Sequence, residues 1–119
     1  MITGVGVDLV DLTRFAETLE KTPALRERLF HPAERNYNVR QMAGSFAAKE
    51  ALVKALGGPQ GLSWLEISVI RDELGKPSLR CEGQSALTVT NAGVQNLHLS
   101  ISHDGGMLVA YVIAEGSAV

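Results

Sequence analysis

The feature that most limits what this chain can become is VRQMAGSFAAKEALVKAL at residues 39–56, which reads as one long helix stopped by Gly57-Gly58-Pro59. In a chain of 119 residues, such a helix has to be central, with the other elements folded against it. Before it, Ile2 to Val10 reads as a buried strand. Asp11 can cap a helix in which Leu12, Phe15, Ala16 and Leu19 recur at helical spacing. Thr22-Pro23 reads as the capped start of a short helix carrying Leu25 and Leu29. His31-Pro32 breaks that helix and opens a turn through Glu34 and Arg35. After the long helix, Leu62 to Ile70, Leu79 to Glu82, Leu97 to His103 and Met107 to Glu115 read as strands. Between them lie a turn at Asp72 to Pro77, a short helix from Ser85 to Ala92 and a hairpin turn at Asp104-Gly105-Gly106. The pattern predicts an α+β fold in one domain, residues 1–119, with a mostly antiparallel sheet packed against the long helix.

The bulk composition narrows the function. A net charge of −2 gives no broad electrostatic case for nucleic acid. Cys81 is the single cysteine, so neither an internal disulfide nor a cysteine metal cluster is available, and a reducing compartment is expected. The start, MITGVGVDLV, lacks the basic region and long apolar run of a signal peptide. The most apolar run, Met107 to Ala114, is too short to cross a membrane. The expectation is a cytoplasmic protein that binds neither membrane nor nucleic acid.

Some residues fit chemistry better than structure. Val39, Met42, Ala43, Phe46 and Val53 form a helical stripe, and Glu50 falls inside it. A carboxylate there has to be desolvated, paired or bound to a cation, unless it sits at the wet edge of a wide alanine-rich face. Asp8 lies in an apolar strand on one face with Gly4 and Gly6. Glycine in a strand marks close approach by another group. Asp8 reads either as a strand-end acid bonded to backbone amides or as part of a cation or phosphate site. If the strand packs along the long helix, Asp8 and Glu50 together suit a hard cation such as Mg²⁺.

Lys54 follows Glu50 by one helical turn, so it reads either as an ion-pair partner or as a phosphate-binding lysine. Lys49 points to another side and reads as solvated. Gly57, Gly58 and Gly61 form either a plain helix stop or a loop whose amides approach phosphate. His103 ends a strand on the face of Leu97, Leu99 and Ile101, and His31 and His98 read as loop or surface residues. No Ser-His-Asp triad can be drawn, because Ser100 and Ser102 fall on the opposite face of that strand.

The stretches GVGVDLVDLTRF at 4–15, FAAKEALVKALG at 46–57, DELGKPSLR at 72–80 and HLSISHD at 98–104 together resemble the holo-acyl-carrier-protein synthases of the 4′-phosphopantetheinyl transferase family. The resemblance spans nearly the whole chain. It implies that family's α+β fold and a cytoplasmic Mg²⁺-dependent transferase in fatty acid biosynthesis. Coenzyme A would be the donor, a serine of an acyl carrier protein the acceptor, and the assembly a homotrimer with active sites between subunits. By position, Asp8 and Glu50 correspond to the metal-binding acids and Lys54 to the phosphate-contacting lysine. Gly57 and His103 fall near the coenzyme A site, and Arg14 falls where the acidic carrier docks. Lys21, Arg26 and Arg28 lie close to Arg14 in sequence, so a local basic surface can form there, although each of the three alone reads as an ordinary solvated helix charge.

Three departures stand out. Ser45 replaces an arginine that contacts phosphate, Gly57-Gly58-Pro59-Gln60-Gly61 replaces a Gly-Thr-Gly loop, and His31 replaces a small hydroxyl residue that caps the Glu34 turn. The last predicts a weaker cap. Two other readings compete: a Mg²⁺-dependent pyrophosphate hydrolase using the same acids, and a silent carrier-binding module in which Asp8 and Glu50 are structural.

Overall fold

Two glycines let the long helix lie directly on a strand, and the rest of the fold is arranged around that contact. The computed structural model describes residues 1–117. Strand β1 (Ile2–Asp11) leads into α1 (Leu12–Lys21) and a short α2 (Leu25–Leu29), followed by a 3₁₀ turn at Pro32–Glu34 and the long helix α3 (Val39–Leu56). A second 3₁₀ turn, Trp64–Glu66, precedes the β2 (Ile67–Arg71) and β3 (Pro77–Cys81) hairpin. Helix α4 (Gly83–Asn91) and strands β4 (Val94–Asp104) and β5 (Met107–Gly116) complete the chain. The main sheet is antiparallel in the order β1-β5-β4, and β2 and β3 pair separately. The α+β class and the sheet-on-helix arrangement are as the sequence predicts.

Methyl groups built at Gly4 and Gly6 would strike the backbone carbonyl oxygens of Ala55 and Ala51. The group that approaches the strand glycines is therefore the backbone of α3. On the same sheet face, Val10, Leu108, Ala110, Val112 and Ala114 are buried against Ala47, Ala48, Ala51, Leu52 and Ala55 of α3. Asn38 caps α3 through the Gln41 N–H, and Gln41 returns a bond to the Asn38 N–H. At the other end Gly57, at φ 87, lets its own N–H and that of Gly58 close the last turn on the Lys54 and Val53 carbonyls.

Several expectations need correction. β1 is buried on one face only. Val7 and Leu9, on the other face, are 47% and 62% exposed, and Val5 and Tyr111 are exposed beside them. Residues 62–66 are not strand, because Trp64 turns to stack on Phe46 and pairing starts at Ile67. Thr22 closes α1 through its N–H to the Thr18 carbonyl and provides no side-chain cap for α2. The His31 turn is well capped. His31 Nδ1 accepts from the Ala33 N–H at 3.0 Å while Glu34 accepts from the His31 N–H, because a ring nitrogen serves as acceptor as a hydroxyl would.

Lys49 is not solvated. It and Glu34 are both 0% exposed and pair at 2.6 Å. Burial pushes the Lys49 ammonium below its usual range, opposed by the charge and hydrogen bond of Glu34. Arg26 is half-buried, with its guanidinium 3.1 Å from the Met42 sulfur.

Candidate functional site

Because α3 rides on Gly4 and Gly6, the next inward residue of β1, Asp8, emerges where the helix surface carries Glu50 and Lys54. Lys54 Nζ donates to the Val7 carbonyl at 2.9 Å and meets Asp8 Oδ1 at 3.2 Å. Its partner is thus the strand acid, in place of the helical pairing with Glu50. The Lys54 side chain stays 53% exposed and that of Asp8 17%. Glu50 lies at the rim of the buried helix face, since the fully buried positions run through Ala47, Ala48, Ala51 and Leu52. Partial burial raises the Glu50 carboxyl above its usual range, the Asp8 charge raises it further, and Lys54 opposes both.

Two carboxylates and an ammonium therefore share one half-open corner. Asp8 and Glu50 offer hard oxygen donors whose mutual repulsion a divalent cation would relieve, so these residues fit Mg²⁺. Two protein carboxylates leave room for water and phosphate oxygens around such an ion. Among the described residues no group of three or more His, Cys, Asp and Glu could hold a metal.

His103 is not in this corner. It pairs across β4 and β5 with Leu108, while Asp8 pairs with Ala110 from the other side of β5. The two lie two strand spacings apart, about 10 Å across the sheet, and are offset by two residues along β5. His103 instead lines a cleft of about 210 Å³ with Arg40, Gln41, Gly44, Arg71 and Pro77. Arg40 and Arg71 are basic residues the sequence did not single out, and no periodic signal marks them. Ser45 is fully buried and does not line that cleft, and its Oγ is the one buried side-chain polar atom without a partner among the described residues.

Gly57 forms the cap of α3 just beyond Lys54, and the loop after it is fastened by the Thr88 hydroxyl, which donates to the Gly61 carbonyl at 2.7 Å. Arg14 is exposed on α1, off the buried stripe of Phe15 and Leu19. It borders a largely apolar cleft of about 270 Å³ with Leu9, Phe15, Leu25, Leu29 and Phe46.

The sequence profile of the 4′-phosphopantetheinyl transferase superfamily matches residues 4–112. The holo-[acyl-carrier-protein] synthase of Clavibacter michiganensis subsp. michiganensis is 54% identical over 118 residues, covering 99% of each chain. That of Arthrobacter sp. is 49% identical over 116 residues, 98% of this chain and 100% of the relative. Among solved structures, the holo-[acyl-carrier-protein] synthase of Neisseria meningitidis superposes with a TM-score of 0.89 at 31% identity, covering 97% of this chain and 99% of the other. The Helicobacter pylori enzyme, in complex with coenzyme A, superposes at 0.82 with 30% identity over 93% and 99% of the two chains. With the strand, helix and hairpin framework in common and the family profile covering nearly its whole length, this chain belongs to the 4′-phosphopantetheinyl transferase superfamily.

Proposed function

We propose that the protein is a holo-acyl-carrier-protein synthase, moving 4′-phosphopantetheine from coenzyme A to a serine of an apo-acyl carrier protein and releasing 3′,5′-ADP. The observation that carries this reading is the meeting of Asp8, Glu50 and Lys54 at one half-open corner, in a chain whose relatives bear that name. In the reaction the serine oxygen bonds to the phosphorus carrying pantetheine, the bond from that phosphorus to 3′,5′-ADP breaks, and the serine proton is taken up. Asp8 and Glu50 would hold Mg²⁺, which when bound neutralises pyrophosphate charge and orients the phosphoryl group. Lys54 sets a positive charge where the departing 3′,5′-ADP gathers negative charge. A Glu50 oxygen not engaged by the ion is the group in this corner that can take the serine proton, directly or through water.

The assembly is a homotrimer with active sites between subunits. Two observations support this. The outer sheet face sets Val5, Val7 and Leu9 of β1 beside Ile113, Tyr111 and Val109 of β5, an exposed apolar patch suited to a second copy. The acidic corner and the Arg40–Arg71–His103 cleft lie apart in one chain, so neighbouring copies can bring one against the other. In this reading His103 and the Gly57 loop flank coenzyme A, the carrier docks along α1 at Arg14, and the work is done in the cytoplasm for fatty acid synthesis. The deciding experiment is mass spectrometry of an apo-carrier incubated with the protein, Mg²⁺ and coenzyme A. A carrier heavier by one phosphopantetheine is expected. An unmodified carrier with coenzyme A cleaved by water would point to hydrolysis and overturn the reading.

A further inference from the structure

The charged side chains that the proposed chemistry leaves unused include one pair that is wholly buried, Lys49 and Glu34. The Lys49 ammonium donates to Glu34 Oε1 at 2.6 Å, to the Leu29 carbonyl at 2.9 Å and to the Trp64 carbonyl at 3.2 Å, and it sits 5.3 Å from the centre of the Phe30 ring. Glu34 uses its other oxygen for the Val69 N–H, at 2.9 Å, and shares the first with the His31 N–H. All three ammonium protons and both carboxylate oxygens are therefore taken. One residue of α3 is fastened to the end of α2 and to both 3₁₀ turns, and through Glu34 to β2.

Burying two charges is not an efficient way to stabilise a fold, since an apolar pair of the same size often does as well. What the pair supplies is direction. The rest of the buried face of α3 is mostly alanine, at positions 43, 47, 48, 51 and 55, and it rests on two strand glycines. Met42 and Leu52 are the large side chains on that face, and Phe46 at its flank packs on Phe15 and Trp64, so much of the face is small and apolar contact sets its rotation less sharply than bonds of fixed direction do. Lys49 immediately precedes Glu50. Turning α3 by about 10° would move a carboxylate at the end of its side chain by about 1 Å, and the same turn would lengthen or misalign the bonds from the Lys49 ammonium to its three acceptors.

Resting on the proposed role of Glu50, we infer that the Lys49–Glu34 pair is a positioning device. It fixes the rotation of α3 so that the Glu50 carboxylate stands against Asp8. Neither residue touches the reacting groups. The test uses the full chain and Mn²⁺ alone as the metal probe, followed by electron paramagnetic resonance, beside thermal melting and carrier-dependent kinetics. Lys49→Met by itself leaves a buried unpaired carboxylate and should melt well below the parent. The double variant Lys49→Met/Glu34→Gln removes both charges and should recover most of that loss. With stability recovered, a misplaced Glu50 should still show about tenfold weaker Mn²⁺ binding and about tenfold lower kcat, with the carrier KM unchanged. A double variant that melts like the parent and also binds Mn²⁺ and turns over like the parent overturns the inference. If the double variant does not fold, Glu34→Asp carries the test, since it keeps both charges but withdraws the carboxylate by one methylene. Parental Mn²⁺ affinity and kcat in folded Glu34→Asp would be equally fatal. Parent protein whose Mn²⁺ binding is absent, or unchanged by Glu50→Gln, would sink both the site reading and the inference.

Discussion

Gly6→Ala tests the geometry on which the proposed site depends without touching a charged residue. A methyl at Gly6 would land on the Ala51 carbonyl oxygen and 2.8 Å from the Ala55 backbone nitrogen. Both obstacles are helix backbone, so no side chain can swing aside. Restoring ordinary contact requires α3 to lift from β1 by more than about 1 Å. Overpacking of this kind costs about 3 kcal/mol, the upper part of its usual range, because neither partner can relax alone. Removing a glycine also restricts the unfolded chain, which offsets about 0.5–1 kcal/mol. The net loss of about 2–2.5 kcal/mol corresponds to roughly 10 °C in melting temperature for a chain of this size. The same displacement stretches the 3.2 Å Asp8–Lys54 contact, and a misplacement of about 1 Å can lower turnover by about 10²-fold. Gly4→Ala meets the Ala55 carbonyl in the same way. It lies four residues from Asp8, so it should lose comparable stability and less activity. Thermal melting with steady-state transfer assays reads both quantities. A Gly6→Ala protein melting within about 2 °C of the parent and retaining its kcat would refute the claim that glycine is what lets β1 and α3 close on each other.

Four further outcomes are expected. Glu50→Gln should keep the fold and lose about 10³-fold or more in transfer rate at saturating Mg²⁺; near-normal turnover would remove Glu50 from the mechanism. Glu66 accepts from the Ser85 hydroxyl and from the Ser85 and Gln84 N–H groups at the start of α4, bonds that hold its carboxyl below the usual range. Its stabilising effect is therefore full above the unfolded value of about 4.3 and is lost as pH falls through the lower folded value, so urea unfolding of Glu66→Gln should be less pH-dependent than the parent between neutral and strongly acidic pH; parallel curves would exclude this source. If the parent sediments as the proposed trimer, Val7→Asp, on the exposed apolar sheet face, should shift it to monomer, and an unchanged trimer would place the interface elsewhere. Arg14→Glu should leave melting unchanged and raise the carrier KM more at low salt than at high salt, and an unchanged KM at low salt would remove α1 from the docking surface.

How much of this was legible in the sequence depended on whether a residue's partner was local. The long helix, the Asp11 cap and the Asp104–Met107 hairpin are settled within a few residues of themselves, and the structure agrees with the reading of each. The alternation of Gly4, Gly6 and Asp8 was legible for a related reason. Two missing side chains on one strand face demand a close neighbour, and only the nature of that neighbour, the helix backbone, was hidden. Residues 62–66 alternate like a strand, but the stacking of Trp64 on Phe46 and the Lys49 bond to the Trp64 carbonyl hold them in a turn. Both partners lie on another element, so no local pattern could show them.

The separation of His103 from Asp8 depends on β5 lying between their strands, which is a matter of sheet order. Lys49 shows the same limit most clearly. Like Glu50, it is a charge on a helix rich in alanine, and spacing assigns such a charge to water unless a partner is in view. Its partner stands fifteen residues earlier, in a turn read only for its cap. The buried lysine and the buried glutamate each look ordinary alone. Only the packing of α3 over the 32–34 turn makes them a pair, and with it fixes where Glu50 stands.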